Sequence, residues 1–117
     1  QSIAMGALFT AYHLGCKAIL ALTESGSTAL WMSRHRIHVP IYGLTSQLTS
    51  QRRMALYRNV SPMLMPNFAD RDEALARAEA LLVESGVLKV GDTYAITCGE
   101  PMGHPGGTNM LKVCRVM

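Results

Sequence analysis

The stretch AILALTESGST at residues 18–28 decides the fold of this chain. Its first half is a short apolar run bounded by turn signals, which predicts a buried strand over residues 18–23. The apolar residues that follow, ALWM at 29–32, predict a helix. The stretch therefore indicates a strand, a hydroxyl-rich turn with one glycine, and a helix, which is a repeating unit of α/β proteins.

The rest of the chain repeats this alternation of strands and helices. Apolar spacing and turn residues predict helices over 2–14, 28–36, 49–58 and 69–85, and strands over 18–23, 41–45, 60–65, 93–98 and 110–117. Only a loop rich in glycine and proline, at 99–107, joins the last two strands. A parallel connection needs about a dozen residues and usually a helix. We therefore expect a three-layer α/β/α fold whose mostly parallel five-stranded sheet carries an antiparallel C-terminal edge strand.

Length, charge and cysteine usage narrow the function classes. The chain has 117 residues and a net charge of +3, so we expect one domain over 1–117. No basic stripe with interleaved aromatic residues is present, which argues against a nucleic-acid partner. No apolar run is long enough to cross a membrane. Three cysteines without a CxxC pair predict reduced thiols and a cytoplasmic location. The first residue is Gln1, which predicts a fragment of a longer polypeptide.

The turn after the first strand has the chemistry of an anion site. Its hydroxyl groups can donate hydrogen bonds, a single glycine lets the backbone curl, and the first amides of a helix favour negative charge. These groups come from Thr23, Ser25, Gly26, Ser27 and Thr28. The glycine and lysine pattern of a nucleotide P-loop is absent, so the turn suits a sugar phosphate or a simple anion. Serine and threonine are also ordinary helix caps, which leaves a purely structural interpretation open.

Several short segments resemble the C-terminal domain of pyruvate kinase. They are KAI at 17–19, LTESG at 22–26, ALYR at 55–58, KVGD at 89–92 and GTN at 107–109. Their order and spacing cover nearly the whole chain. The resemblance implies a parent enzyme that transfers a phosphoryl group from phosphoenolpyruvate to ADP with Mg²⁺ and K⁺. In that family the chemistry belongs to other domains, so we assign no catalytic residue and no metal ligand to this chain.

The resemblance also implies an allosteric effector site and a subunit interface. The implied effector-binding residues are Thr23, Glu24, Ser25, Gly26, Ser27, Thr28, Gly103, Gly106 and Gly107. Family members that bind fructose 1,6-bisphosphate place a basic residue where this chain has Ala74, and the loop carrying Glu100 is less basic than a bisphosphate needs. We therefore expect a sugar monophosphate or AMP as effector. The C-terminal strand and the first helix are expected to contact a second copy in a homotetramer.

Two other functions remain open at this stage. The chain could be a free-standing small-anion-binding domain of the same fold, or a purely structural association domain. The intact turn over residues 25–28 favours a binding role over the second of these.

Overall fold

A five-stranded mixed sheet forms the centre of the protein, seen in a computed structural model that describes residues 2–23, 27–34, 39–66, 70–99 and 108–117. The strands are β1 (Ala18–Leu22), β2 (Ile41–Thr45), β3 (Val60–Leu64), β4 (Thr93–Gly99) and β5 (Thr108–Arg115). Their order is β3-β2-β1-β4-β5. The pairs among β1, β2, β3 and β4 are parallel, and β5 is antiparallel to β4. The predicted fold class and the antiparallel edge strand are confirmed.

Four helices cover the two faces of the sheet: α1 (Ser2–His13), α2 (Ser27–Ser33), α3 (Leu48–Met54) and α4 (Arg71–Glu84). Side chains of α1, α2 and α3 pack with Ile19, Ala21 and Ile41 in one core cluster. The other cluster joins buried residues of α4 to Leu20 and Ile96 on the opposite face. Successive residues of a strand point to opposite faces, so the unbroken apolar run of β1 fills both clusters.

Helix α4 matches its sequence pattern most closely. Asp70 caps its N-terminus, with the side chain accepting a hydrogen bond from the Asp72 amide. At the other end Gly86 has a φ of +84°. The Val87 amide bonds the Leu82 carbonyl at 3.0 Å, and the Gly86 amide bonds the Val83 carbonyl at 3.1 Å. These two bonds form a Schellman motif, which is the termination that the glycine predicts.

Helix α3 is shorter than the predicted range of 49–58. After Met54 the chain tightens, and the Tyr57 amide bonds the Met54 carbonyl at 3.0 Å. Asn59 then takes a left-handed φ of 63°, while its side-chain amide donates to the Val39 carbonyl at 2.8 Å. This tertiary bond turns the chain into β3, so the helix ends before its local sequence pattern does.

A close contact fixes α3 against the sheet. Met54 is fully buried over Gly43 in the middle of β2. A Cβ atom at position 43 would lie 2.4 Å from the Met54 sulfur. The absence of a side chain at Gly43 is therefore what lets α3 lie so close to β2.

Candidate functional site at the carboxyl ends of the strands

The strand order reverses between β1 and β4. From β1 the chain adds β2 and β3 on one side, and β4 then lies on the other side of β1. In open α/β sheets, ligands bind beyond the carboxyl ends of the strands at such a reversal. The predicted effector turn follows β1, and the glycine-rich loop follows β4. Because β1 and β4 are parallel neighbours, both segments start from the same edge of the sheet.

The structure describes only part of the predicted effector site. Thr23 is almost fully buried, and its amide bonds the Leu44 carbonyl at 2.9 Å. Ser27 and Thr28 form the first turn of α2, although their side chains lie outside the described set. The remaining predicted site residues also lie outside it: Glu24, Ser25, Gly26, Gly103, Gly106 and Gly107.

Three buried threonines stand at this edge of the sheet, one on each of three adjacent strands. Thr45 closes β2, Thr97 lies near the end of β4, and Thr23 follows β1. Counting alternate residues from Ile19, Ile41 and Ala95, which share one core cluster, places all three threonines on the face that α1, α2 and α3 cover. Together they bring three hydroxyl residues to the carboxyl end of this face, and we call them the threonine row.

The members of the threonine row have different hydrogen bonds. The Thr45 hydroxyl accepts from the Gln47 amide at 3.1 Å, just before α3 begins. The Thr97 hydroxyl is fully buried and has no hydrogen-bond partner among the described residues. A buried polar group without a partner costs stability, and such groups are rare away from functional sites.

The sequence reasoning missed Thr45 and Thr97. A threonine inside an apolar strand is an ordinary β-former, so its type gives no warning. Their position in the strands could have identified them, because each is a hydroxyl residue near the carboxyl end of a buried parallel strand. Aligning the carboxyl ends of the predicted strands would have placed them beside Thr23.

Trp31 lies on the exposed side of α2. Its side chain is 41% exposed, and the Arg34 guanidinium lies 5.5 Å from the ring centroid. The indole therefore lies at the surface, a little over one turn from the start of α2, where its fluorescence is sensitive to its surroundings. Fluorescence can follow events at that end of the helix.

On the opposite face, a buried tyrosine of β4 bonds a carboxylate of α4. The Tyr94 hydroxyl donates to a Glu79 carboxylate oxygen at 2.5 Å and so ties α4 to β4. Burial is the main cause that raises the pKa of Tyr94, and the bond to Glu79 is the second. On the face that α1 covers, burial also raises the pKa of the Cys16 thiol. Both groups stay protonated near neutral pH, so neither supplies a nucleophile.

Neither a metal centre nor a membrane span is found in the described part of the chain. Among those residues, no three His, Cys, Asp or Glu side chains come together in a group that could hold a metal ion. None of the helices there combines the length and apolar character needed to cross a bilayer.

Known proteins with similar sequences decide the family. The sequence profile described as "Pyruvate kinase, alpha/beta domain" matches residues 1–114. The chain belongs to this family. The resemblance drawn from the short segments is thereby confirmed, and the order of strands and helices described above is that of a pyruvate kinase α/β domain.

Individual relatives carry the same name. The chain is 38% identical over 117 residues to the pyruvate kinase of Buchnera aphidicola subsp. Baizongia pistaciae, covering 99% of this chain and 24% of that protein. It is 38% identical over 113 residues to the pyruvate kinase of Staphylococcus haemolyticus, covering 97% of this chain and 19% of that protein. The chain thus spans about a fifth to a quarter of the length of the curated relatives it matches.

Proposed function

We propose that this domain is the regulatory and association part of a pyruvate kinase, and that it binds a phosphorylated small-molecule effector at the carboxyl ends of β1 and β4. The observation that carries the proposal is the reversal of strand order between β1 and β4, because the two segments implied by the family resemblance leave the sheet there together. The turn after β1 brings hydroxyl donors and Gly26, and the loop after β4 brings glycines.

The expected effector carries one phosphate, as in a sugar monophosphate or AMP. Ala74, where bisphosphate-binding relatives are expected to have a basic residue, is fully buried in α4. That position therefore adds no positive charge to the site. A single phosphate needs fewer charge-assisted hydrogen bonds than a bisphosphate, and hydroxyls with backbone amides can supply them.

The parent reaction is the transfer of a phosphoryl group from phosphoenolpyruvate to ADP, with Mg²⁺ and K⁺, in a cytoplasmic homotetramer. Phosphoryl transfer relies on a metal ion and on cationic side chains that stabilise the transferring group. The described residues do not fit a Mg²⁺ site, since no cluster of ligands is present among them. In line with the family resemblance, our proposal assigns the metals and the catalytic steps to other domains of the parent enzyme.

A second role, association with another copy, is favoured by the surface formed by β5 and α1. β5 is an edge strand, and its Val113 side chain is 37% exposed beside α1. Phe9 and Tyr12 of helix α1 are exposed, as is Leu14 just after it, while His13 stacks on Phe9. Ala7 and Ala11 of the same helix are buried against the sheet. The aromatic side of α1 is therefore the side that we assign to the partner.

Effector binding is tested by a titration followed through Trp31 fluorescence. Ribose 5-phosphate, glucose 6-phosphate, AMP and fructose 1,6-bisphosphate are each added to the chain. We expect saturable binding of at least one monophosphate. The double variant Ser25→Asp with Ser27→Asp should weaken it at least about tenfold, because carboxylates repel phosphate and remove hydroxyl donors.

The matched control adds the same charge elsewhere. Leu56 and Val90 are strongly exposed and lie before β3 and β4, at the opposite end of the sheet. The variant Leu56→Asp with Val90→Asp should bind as the wild type does. Equal affinity in the Ser25/Ser27 variant would refute the effector site, and tightest binding of the bisphosphate would refute the choice of a monophosphate.

A further inference from the structure

A cavity lies between the first turn of α4 and the start of β5. Its volume is about 270 Å³. Six residues line it: Arg71, Asp72, Leu75, Met110, Leu111 and Lys112. None of these belongs to the turn after β1 or to the loop after β4. The cavity is therefore separate in composition from the proposed effector site.

Both walls of this cavity are fixed elements. On one side, α4 is capped by Asp70 and holds Leu75 against the core cluster that contains Leu82. On the other side, Met110 packs against the same cluster, and the Cys98 thiol contacts its sulfur at 3.8 Å. A site that is built on a capped helix and a paired strand keeps its shape without a ligand, which lowers the entropy cost of binding.

The lining combines charge and apolar surface in a specific way. Arg71 and Lys112 bring positive charge from two different elements, and Leu75 and Met110 contribute apolar surface to the same cavity. The planar guanidinium of arginine can donate two parallel hydrogen bonds to the two oxygens of a carboxylate, whereas the ammonium of lysine acts as a point charge. Asp72 adds one negative charge at the same cavity, which disfavours ligands with several negative charges.

We propose that this cavity binds a small organic monoanion, a carboxylate with a compact apolar body. The carboxylate lies between Arg71 and Lys112, and the apolar body packs on Leu75 and Met110. At about 30 Å³ for each water-sized group, the cavity has room for about nine non-hydrogen atoms. This ligand class differs from the phosphorylated effector in both charge and polarity.

The site also remains usable when β5 pairs with another copy. Side chains of a strand stand roughly perpendicular to the sheet, and edge pairing uses the backbone. Lys112 lies opposite Ile96, whose side chain belongs to the α4 face. The Lys112 side chain therefore projects over the face of the sheet rather than from its edge.

The experiment is an NMR titration of the full 117-residue chain with 4-methylpentanoate. Two probes separate the contributions of charge and shape: the neutral 4-methylpentanamide, and acetate, which lacks the apolar body. We expect saturable amide shifts over residues 71–75 and 110–112 with 4-methylpentanoate. Binding of the other two compounds should be at least about fivefold weaker, since the amide lacks the negative charge and acetate lacks the apolar body.

The variants Lys112→Gln and Arg71→Gln should each weaken binding of 4-methylpentanoate at least about fivefold. Lys89→Gln is the matched control, because Lys89 is an exposed lysine in the turn before β4 and should leave the affinity unchanged. Equal binding of the amide, unchanged affinity in both cavity variants, or shifts confined to other residues would each overturn the proposal. The double variant Ser25→Asp with Ser27→Asp should not change this titration, so the cavity proposal and the effector-site proposal are tested independently.

Discussion

The two edges of the sheet are built differently. β3 is a short strand of five residues with a proline at its centre, whereas β5 has eight residues and no proline. An exposed edge offers unpaired amides and carbonyls to any passing strand, and proteins commonly blunt edges that must stay free. The contrast indicates that one edge is protected from pairing and that the other is available for it.

The edge of β3 has few amides to offer. The Ile41 amide bonds the Asn59 carbonyl, and the Met65 amide bonds the Thr45 carbonyl, so odd-numbered residues of this segment face β2. Even-numbered residues therefore face outward. Of these, Pro62 has no amide hydrogen, and the Val60 amide bonds the Tyr57 carbonyl at 3.4 Å.

The free edge of β5 presents a regular row of backbone amides. The Val116 amide bonds the Asp92 carbonyl at 2.9 Å, and the register pairs Cys114 with Tyr94. Even-numbered residues thus face β4, and the amides of Leu111, Val113 and Arg115 point away from it. β5 contacts α1, whose Phe9 and Tyr12 are exposed, so backbone donors and apolar surface occur on neighbouring elements.

The largest effect is expected from a proline in the outward row. Val113→Pro removes an outward amide without removing a bond to β4, and it should raise the dissociation constant of the dimer at least about tenfold. Leu64→Pro is the matched control, since it removes an outward amide from the other edge. Analytical ultracentrifugation should show smaller species for the first variant only. Equal sedimentation of Val113→Pro and the wild type, with native circular dichroism, would exclude pairing through β5.

The next effect concerns the hydrogen bond that holds α4 against β4. Tyr94→Phe removes the hydrogen bond to Glu79 and leaves a carboxylate without its donor, which should lower the free energy of unfolding by about 1–3 kcal/mol. Tyr42→Phe, on the same face but on β2, is the control and should cost less than 1 kcal/mol, on the order of a surface change. Urea denaturation measures both. Equal losses would mean that the bond contributes little.

Tyr94 also makes the stability of the folded protein depend on pH in the alkaline range. Burial raises the pKa of Tyr94, so the folded state favours the neutral phenol. Its contribution is complete below the pKa of an unfolded tyrosine, about 10, and is lost as the pH rises beyond that value. The wild type should therefore lose stability above about pH 10 more steeply than Tyr94→Phe. Parallel pH profiles for the two proteins would contradict this.

The smallest effect separates two members of the threonine row. Thr97→Val removes a hydroxyl that has no partner among the described residues, so the free energy of unfolding should stay the same or rise by up to about 1 kcal/mol. Thr45→Val removes the acceptor of the Gln47 amide and should lower it by about 1 kcal/mol. Thermal unfolding of both variants tests the sign. A clear destabilisation by Thr97→Val would show that its hydroxyl has a partner.

Much of the fold could be predicted because local and tertiary preferences agree. The run at β1 is apolar throughout and is buried on both faces, and α4 has a capping Asp70 and a terminating Gly86 that the structure uses as the sequence predicts. Helix α3 was predicted too long because Asn59 makes a tertiary bond to Val39 that no local pattern contains.

The site was harder to predict than the fold. The turn after β1 could be predicted as an anion site because hydroxyls and a glycine occur together in sequence. Thr45 and Thr97 come from separate strands, and only the sheet brings them to one face. The cavity beside Lys112 was missed for the same reason, since α4 and β5 are far apart in sequence. Residue type identifies a local cluster, but only the strand order identifies neighbours from distant segments.

Amide hydrogen exchange at the two edges tests the central comparison most directly. Exchange of the outward amides of Leu111, Val113 and Arg115 is measured against that of Leu64 as the protein concentration rises from micromolar to millimolar. Pairing through β5 predicts that protection of the first three rises with concentration while that of Leu64 stays constant. A rise at Leu64, or association of the chain without added protection at Val113, would contradict the account.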